Sequence, residues 1–294
     1  MPSNFRTALV TATMGLSALG AQAVTLVGLT SANQLARIDT DNVAAATTTA
    51  ITGLAAGDRF VGIDLRPRNN MIYGVTLSSQ LYTVNETTGA ATWVAVLSAP
   101  VINASLGYGI DFNPVADFAG ATSLRLVSSA GNNYAVNANT GVVGNTASNI
   151  GTGFTAVAYS NSMPLPAASP PSTALYYINS NTDMLSKASS GFNAPTITAV
   201  GSLGVDALKA NGFEILGNGS AYAALNLDAG SSLTTGLYGI NLATGAASLL
   251  GTYNGTLSGL TVSAVPEPQS LALMLAGLAA IGSLARRRTQ SAAI

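Results

Sequence analysis

Five short stretches recur along the chain at a nearly constant interval, and that interval restricts the architecture more than any other feature of the sequence. VGIDLRP from Val61, YGIDFNP from Tyr108, TAVAYSN from Thr155, GFEILGN from Gly212 and SGLTVSA from Ser258 align on the apolar residues Ile63, Ile110, Val157, Phe213 and Leu260. These residues lie 47, 47, 56 and 47 positions apart. The one long interval contains SMPLPAASPPS, Ser162 to Ser172, a proline-rich surface insertion that accounts for the excess. A period of about 45 residues with four strands per unit is that of a β-propeller blade.

In the clearest unit GIDL is followed by a turn at Pro67-Arg68-Asn69-Asn70, then MIYGVT, QLYTVN and ATWVAVL. The last hairpin turns on Asn85-Glu86-Thr87-Thr88-Gly89, with similar turns at Asn137 to Gly141 and Asn241 to Gly245. Asn and Gly suit tight hairpins because both tolerate positive φ. Asn179 to Asp183 has the same character, either in that hairpin or one hairpin earlier.

At the N-terminal end, TLVGLTSANQLARIDT from Thr25 aligns with MIYGVTLSSQLYTVNE from Met71, sharing Gly28, Thr30, Gln34 and Leu35 with their counterparts. This unit has its second, third and fourth strands but no first. SGLTVSA, at the other end, is a first strand with no successors. The economical solution is circular: Ser258–Ala264 supplies the inner strand of the blade begun by Val24–Leu54, which removes open sheet edges. The expected fold is therefore all-β, a five-bladed β-propeller over 24–264, closed by pairing of the N- and C-terminal strands. An open β-sandwich or β-solenoid is the alternative.

The two ends read as addresses. Residues 1–23 have the plan of a secretory signal peptide: Arg6, an uncharged stretch from Thr7 to Gly20, then Ala21 and Ala23 as small residues for signal peptidase. Residues 265–294 open on Val265-Pro266-Glu267-Pro268, where proline stops a strand. An apolar helix is expected over 271–285, too short to span a bilayer comfortably, and Arg286, Arg287 and Arg288 form a cytoplasmic stop. This tail resembles the PEP-CTERM sorting signal, with all three parts in order. The resemblance implies transient membrane insertion through the C-terminal helix, processing by an exosortase, and a place in the cell envelope or outside the cell. Bacteria with this signal often make extracellular polysaccharide.

Charge and residue usage narrow the chemistry. Between Val24 and Val265 seven basic residues face eleven acidic ones, so no basic patch is available for nucleic acid. Cysteine and histidine are both absent, which excludes thiolate chemistry, Ser-His-Asp triads and imidazole bases. Any metal would be a hard, oxygen-ligated cation such as calcium.

The polar set with most chemical potential is Asp64, Asp111 and Glu214, each one residue past the central apolar position of a first strand. The other two units place Ala158 and Thr261 there. On inner strands these carboxylates could converge on the channel and hold calcium. The favoured reading is structural: each caps amides of a neighbouring segment and holds the blades together. Arg66, Arg68 and Arg125 are expected at the surface or paired with Asp64 or Asp117. Trp93, beside Val94 and Val96, is expected between blades. The tyrosines are expected to pack between blades or, where exposed, to stack on sugars.

Between the ends the chain is similar to the DUF4394 family of bacterial propeller-like proteins, through Gly62-Ile63-Asp64 to Pro67, Gly109-Ile110-Asp111 to Pro114, Phe112–Asp117 leading to Leu124–Ser128, LYTVNETTGAAT, LGVDAL and LYGINLATGAAS. The family carries no established activity. The functional expectation is a non-catalytic module in envelope or matrix interactions, with polysaccharide as a candidate partner. The alternative is a calcium-dependent hydrolase or lactonase using the channel carboxylates.

Overall fold

The structure, a computed structural model, describes residues 23–99, 102–146, 148–164, 168–189, 191–208, 212–228 and 233–264. The expected terminal helices, Ala21, the Val265–Pro268 motif and the Arg286–Arg288 cluster lie outside these residues. Among the described residues no helix is long and apolar enough to cross a membrane.

Among the described residues twenty strands form five four-stranded antiparallel sheets. The first blade contains β1 (Thr25–Thr30), β2 (Gln34–Asp39) and β3 (Thr47–Ala50). The second is β4 (Phe60–Arg66), β5 (Met71–Thr76), β6 (Gln80–Val84) and β7 (Ala91–Val96). The third is β8 (Tyr108–Phe112), the short helix α1 (Pro114–Phe118), β9 (Ser123–Ser128), β10 (Asn133–Asn137) and β11 (Val143–Gly144). The fourth is β12 (Phe154–Tyr159), β13 (Leu175–Asn179), β14 (Met184–Ala188) and β15 (Ile197–Ser202). The fifth is β16 (Gly212–Ile215), β17 (Ala221–Asp228), β18 (Leu233–Ile240) and β19 (Ala247–Tyr253). Finally β20 (Leu257–Val262) returns to pair with β1, setting Leu26 opposite Val262 and Gly28 opposite Leu260.

Strands β4, β8, β12, β16 and β20 pack against one another in that order, and β20 packs back onto β4. The fold is a five-bladed β-propeller closed by its two ends, as the repeat requires. Burial falls from the axis outward: β8 and β12 are buried throughout, whereas β15 and β19 are half-buried or exposed along their length. Inner strands are covered on both faces by neighbouring blades, which explains their unbroken apolar runs.

Trp93 departs from expectation for this reason. It lies on β7, the outermost strand of its blade, and is 55% exposed rather than packed between blades. Tyr82, opposite it in the register, takes the buried place. Eight of the ten tyrosines are buried and the other two, Tyr222 and Tyr253, are half-buried, so packing accounts for them.

The Asn-to-Gly turns are blade-docking devices. Asn85 Oδ1 accepts hydrogen bonds from the amides of Thr87 and Thr88, and Gly89 closes the turn on the Asn85 carbonyl with φ of 71°. A Cβ on Gly89 would collide with the Ala50 carbonyl of the preceding blade's β3, so glycine serves both the turn and the close approach. The Asn137–Gly141 and Asn241–Gly245 turns press on Val96 and Gly201 in the same way. Asn179–Asp183 instead joins β13 to β14, one hairpin earlier.

The fourth blade docks differently, and this corrects the surface expectation for Arg125. That guanidinium is 2% exposed and donates to Tyr159 Oη, Asn133 Oδ1 and Asn193 Oδ1. Phe192 packs edge-on against Tyr159, and its carbonyl accepts from Asn133 Nδ2. Arg66 is likewise buried, paired with Asp117 at 2.8 Å. Asp117 sits on α1, whose first turn is capped by Asn113 and begins at Pro114.

Candidate functional site

An inner strand pairs with one neighbour within its blade, so the backbone groups on its axial edge need partners from elsewhere. The residue after each central apolar position supplies them. Asp64 Oδ2 accepts from the Phe112 amide at 2.7 Å and Asp111 Oδ1 from the Tyr159 amide at 2.8 Å. Glu214 Oε2 accepts from the Val262 amide at 3.2 Å, and Thr261 Oγ1 from the Leu65 amide at 2.9 Å. In every case the amide lies one residue past the equivalent position in the next blade. Side chains thus stitch the ring blade to blade.

The stitch lacks a partner at Ala158, whose methyl cannot accept a hydrogen bond. The amide it would have served belongs to Ile215, and that amide donates instead to Glu214 Oε1 at 3.1 Å. A glutamate, one methylene longer than aspartate, therefore covers two amides and repairs the gap left by alanine.

This arrangement brings all three acidic candidates together: one carboxylate oxygen from each of Asp64, Asp111 and Glu214 lies within 4.8 Å of the others. All three are at most 1% exposed. Thr261, at the equivalent repeat position, joins them and lies 2.9 Å from both Asp64 Oδ1 and Glu214 Oε2. Its signal in the sequence was the alignment position alone. Neither ion pair among the described residues, Arg66–Asp117 and Arg37–Glu86, neutralises the cluster.

Burial raises the Asp64 carboxyl well above the usual range, and the charge of Glu214 adds to the effect. Burial does the same to Asp111, with contributions from Asp64 and then Glu214. Glu214 is pushed up to about 7, again by burial. Chemically the cluster can share protons or bind a hard cation.

The inner strands close tightly beside it. Gly62, Gly109, Ala156, Gly212 and Gly259 occupy one layer of the axis around a cavity of about 10 Å³. That volume suits about one water. A Cβ on Gly109 would lie 2.7 Å from the Ala156 Cα, and one on Gly212 2.5 Å from the Leu260 Cβ.

A larger concavity lies on the surface. A groove of about 560 Å³ runs beside the end of the C-terminal strand, from Asn70 to Ala264. Neutral hydrogen-bonding side chains dominate its polar lining: Asn70, Thr83, Asn85, Thr87, Thr88 and Thr92. Glu86 anchors the groove to the chain end, accepting from Ser263 Oγ, the Ala264 amide and Arg37.

A family model described as a domain of unknown function, DUF4394, matches residues 25–261. A second, described as the PEP-CTERM protein-sorting motif, matches residues 264–288 and supports export to the cell envelope. No curated protein matches the chain. Among solved structures, a protein of unknown function from Bacteroides thetaiotaomicron is 14% identical, with a TM-score of 0.45 over 82% of this chain and 60% of its own. A candidate 6-phosphogluconolactonase from Bacteroides uniformis is 9% identical, with a TM-score of 0.40 over 79% of this chain and 83% of its own. Another, from Bacteroides fragilis, is 10% identical, with a TM-score of 0.40 over 81% and 83%.

Proposed function

The chain belongs to the DUF4394 family, and on that footing we propose that it is an exported, exosortase-sorted, non-catalytic propeller that associates with extracellular polysaccharide at the cell envelope. The mature portion in this reading is 24–264, after removal of the leader at Ala23 and of the tail beyond Ala264. The observation that carries the proposal is the surface groove lined by Asn70, Thr83, Asn85, Thr87, Thr88 and Thr92. Its volume falls in the range of small-ligand sites, about 300–1,000 Å³. Hydroxyl and amide side chains offer the neutral donors and acceptors that sugar hydroxyls require. Among the described residues the lining contains no cation to select a phosphate.

The axial carboxylates support non-catalysis from the other direction. A hydrolase built on them would need a substrate to reach groups that are at most 1% exposed. Each of these groups already holds an amide of an inner strand.

The test is binding of the purified protein to exopolysaccharide from the producing bacterium, compared with a Thr87→Val, Thr92→Val double variant. Both threonines are exposed, so folding should be unaffected. Loss of two hydrogen bonds at about 1 kcal/mol each should weaken binding on the order of tenfold or more. Equal binding by the variant would reject the groove. New reducing ends released from the glycan would favour the hydrolase.

A further inference from the structure

We propose that the propeller axis holds one divalent cation of the calcium class, ligated by Asp64, Asp111 and Glu214 with Thr261 beside them. The inference is independent of the polysaccharide groove, with which it shares no residue.

One observation beyond the acidic cluster leads here. Asp111 Oδ2 is buried and has no hydrogen-bond partner, although Oδ1 of the same carboxylate is satisfied by the Tyr159 amide. Buried carboxylate oxygens rarely stay unpaired, because leaving one so is costly. The neighbouring hydroxyl does not relieve it: the one hydroxyl proton of Thr261 serves Asp64 Oδ1 or Glu214 Oε2, and Glu214 Oε2 also has the Val262 amide. A cation between the three carboxylates satisfies the Asp111 oxygen.

The dimensions suit calcium. Calcium–oxygen bonds of about 2.4 Å put opposed ligands about 4.8 Å apart. The three carboxylate oxygens fall within 4.8 Å of one another. All the ligand atoms are hard oxygens, and calcium accepts irregular oxygen shells that magnesium does not. The position also has a structural consequence. The ligands come from the second, third and fifth blades, so one ion ties three blades together, and Thr261 of the first blade hydrogen-bonds two of its ligands.

Because the ligands are buried, the ion is expected to enter as the ring closes. The full chain should therefore be refolded in about 1 mM calcium, the range in which extracellular calcium modules load, or in EDTA. Metal content after desalting and thermal unfolding are then measured. The expected result is one calcium per chain after refolding in calcium, none in EDTA, and a melting temperature several degrees higher in the loaded protein. Magnesium should not substitute. Asp111→Asn keeps the Oδ1 acceptor for the Tyr159 amide but replaces the free oxygen with an amide nitrogen. It should weaken calcium binding at least tenfold and abolish the melting shift, whereas Asp117→Asn, a buried acid outside the cluster, should retain the shift. Wild-type protein that carries no calcium and melts identically in calcium and EDTA would overturn the proposal, as would unchanged binding by Asp111→Asn. Should Asp111→Asn fail to fold, wild-type stoichiometry and the calcium-dependent shift decide alone.

Discussion

Glu214 shows how much can depend on a single methylene. Its two oxygens hold the Ile215 and Val262 amides, and aspartate at this position would reach only one of them. Glu214→Asp should therefore destabilise the fold by about 1–3 kcal/mol, the cost of one orphaned buried amide, as read by urea unfolding. No loss of stability would mean that the double reach is incidental. The same carboxyl carries a pH dependence. In the folded chain it titrates at about 7, while in the unfolded chain it titrates near ~4.3. The folded state thus holds a proton that the unfolded state has released, and the resulting stabilisation is complete below the unfolded value and lost as pH rises through the folded one. Measured in EDTA, stability should fall between about pH 5 and pH 7.5, and Glu214→Gln should flatten that slope. Asp64 and Asp111, shifted in the same direction, steepen it. Of these residues, the sequence marked the three acids through the repeat but not what they do. The reciprocal capping depends on which amide the next blade presents, and that follows only from the ring. Arg125 was illegible for a related reason: its partners Tyr159 and Asn193 lie in another blade, and a lone arginine carries no mark of burial.

At the level of elements, the repeat made the inner strands, most hairpins and the closing strand readable, because each recurs with the same residues at the same spacing. The outer strands were harder. Their alternation resembles that of a buried strand until the ring shows them to be the outermost of their blades, which is why the sequence alone suggests a place between blades for Trp93. Helix α1 interrupts the third blade between β8 and β9, and the Asn113-Pro114 start that marks it in the sequence is brief. The turn glycines are a separate case in which local chemistry and docking coincide. Gly89→Ala would force a side chain into positive φ and push its Cβ into the Ala50 carbonyl of the first blade. The two effects together should cost about 2 kcal/mol or more. Thermal unfolding of Gly89→Ala beside Gly57→Ala separates them, since Gly57 also has positive φ but nothing lies near its Cβ position. Equal losses in the two variants would assign the whole effect to backbone strain and none to blade docking.

The whole molecule depends on β20, which belongs to the first blade in space and to the end of the chain in sequence. Its side chains Leu257, Leu260 and Val262 are buried, and Thr261 supplies both a cap for Leu65 and the bridge between Asp64 and Glu214. Immediately after it, Glu86 of the second blade fastens Ser263 and Ala264, and Arg37 of the first blade joins the same carboxylate. The chain is therefore secured up to Ala264, the residue before the Val265–Pro268 stretch. Processing downstream of Ala264 would leave closure intact, while a cut before Leu257 would remove a blade's inner strand, expose the edges of β1 and unpair the axial cluster. Mass spectrometry of the mature protein should find a C-terminus at or after Ala264. A chain ending at Ala264 should unfold cooperatively in urea, and one ending at Thr256 should lose that transition and aggregate, because two sheet edges and a buried apolar row become exposed together. A Thr256-terminated chain with the same unfolding midpoint as the longer one would show that the propeller stays shut without its last strand, and would sever the link between sorting and fold closure.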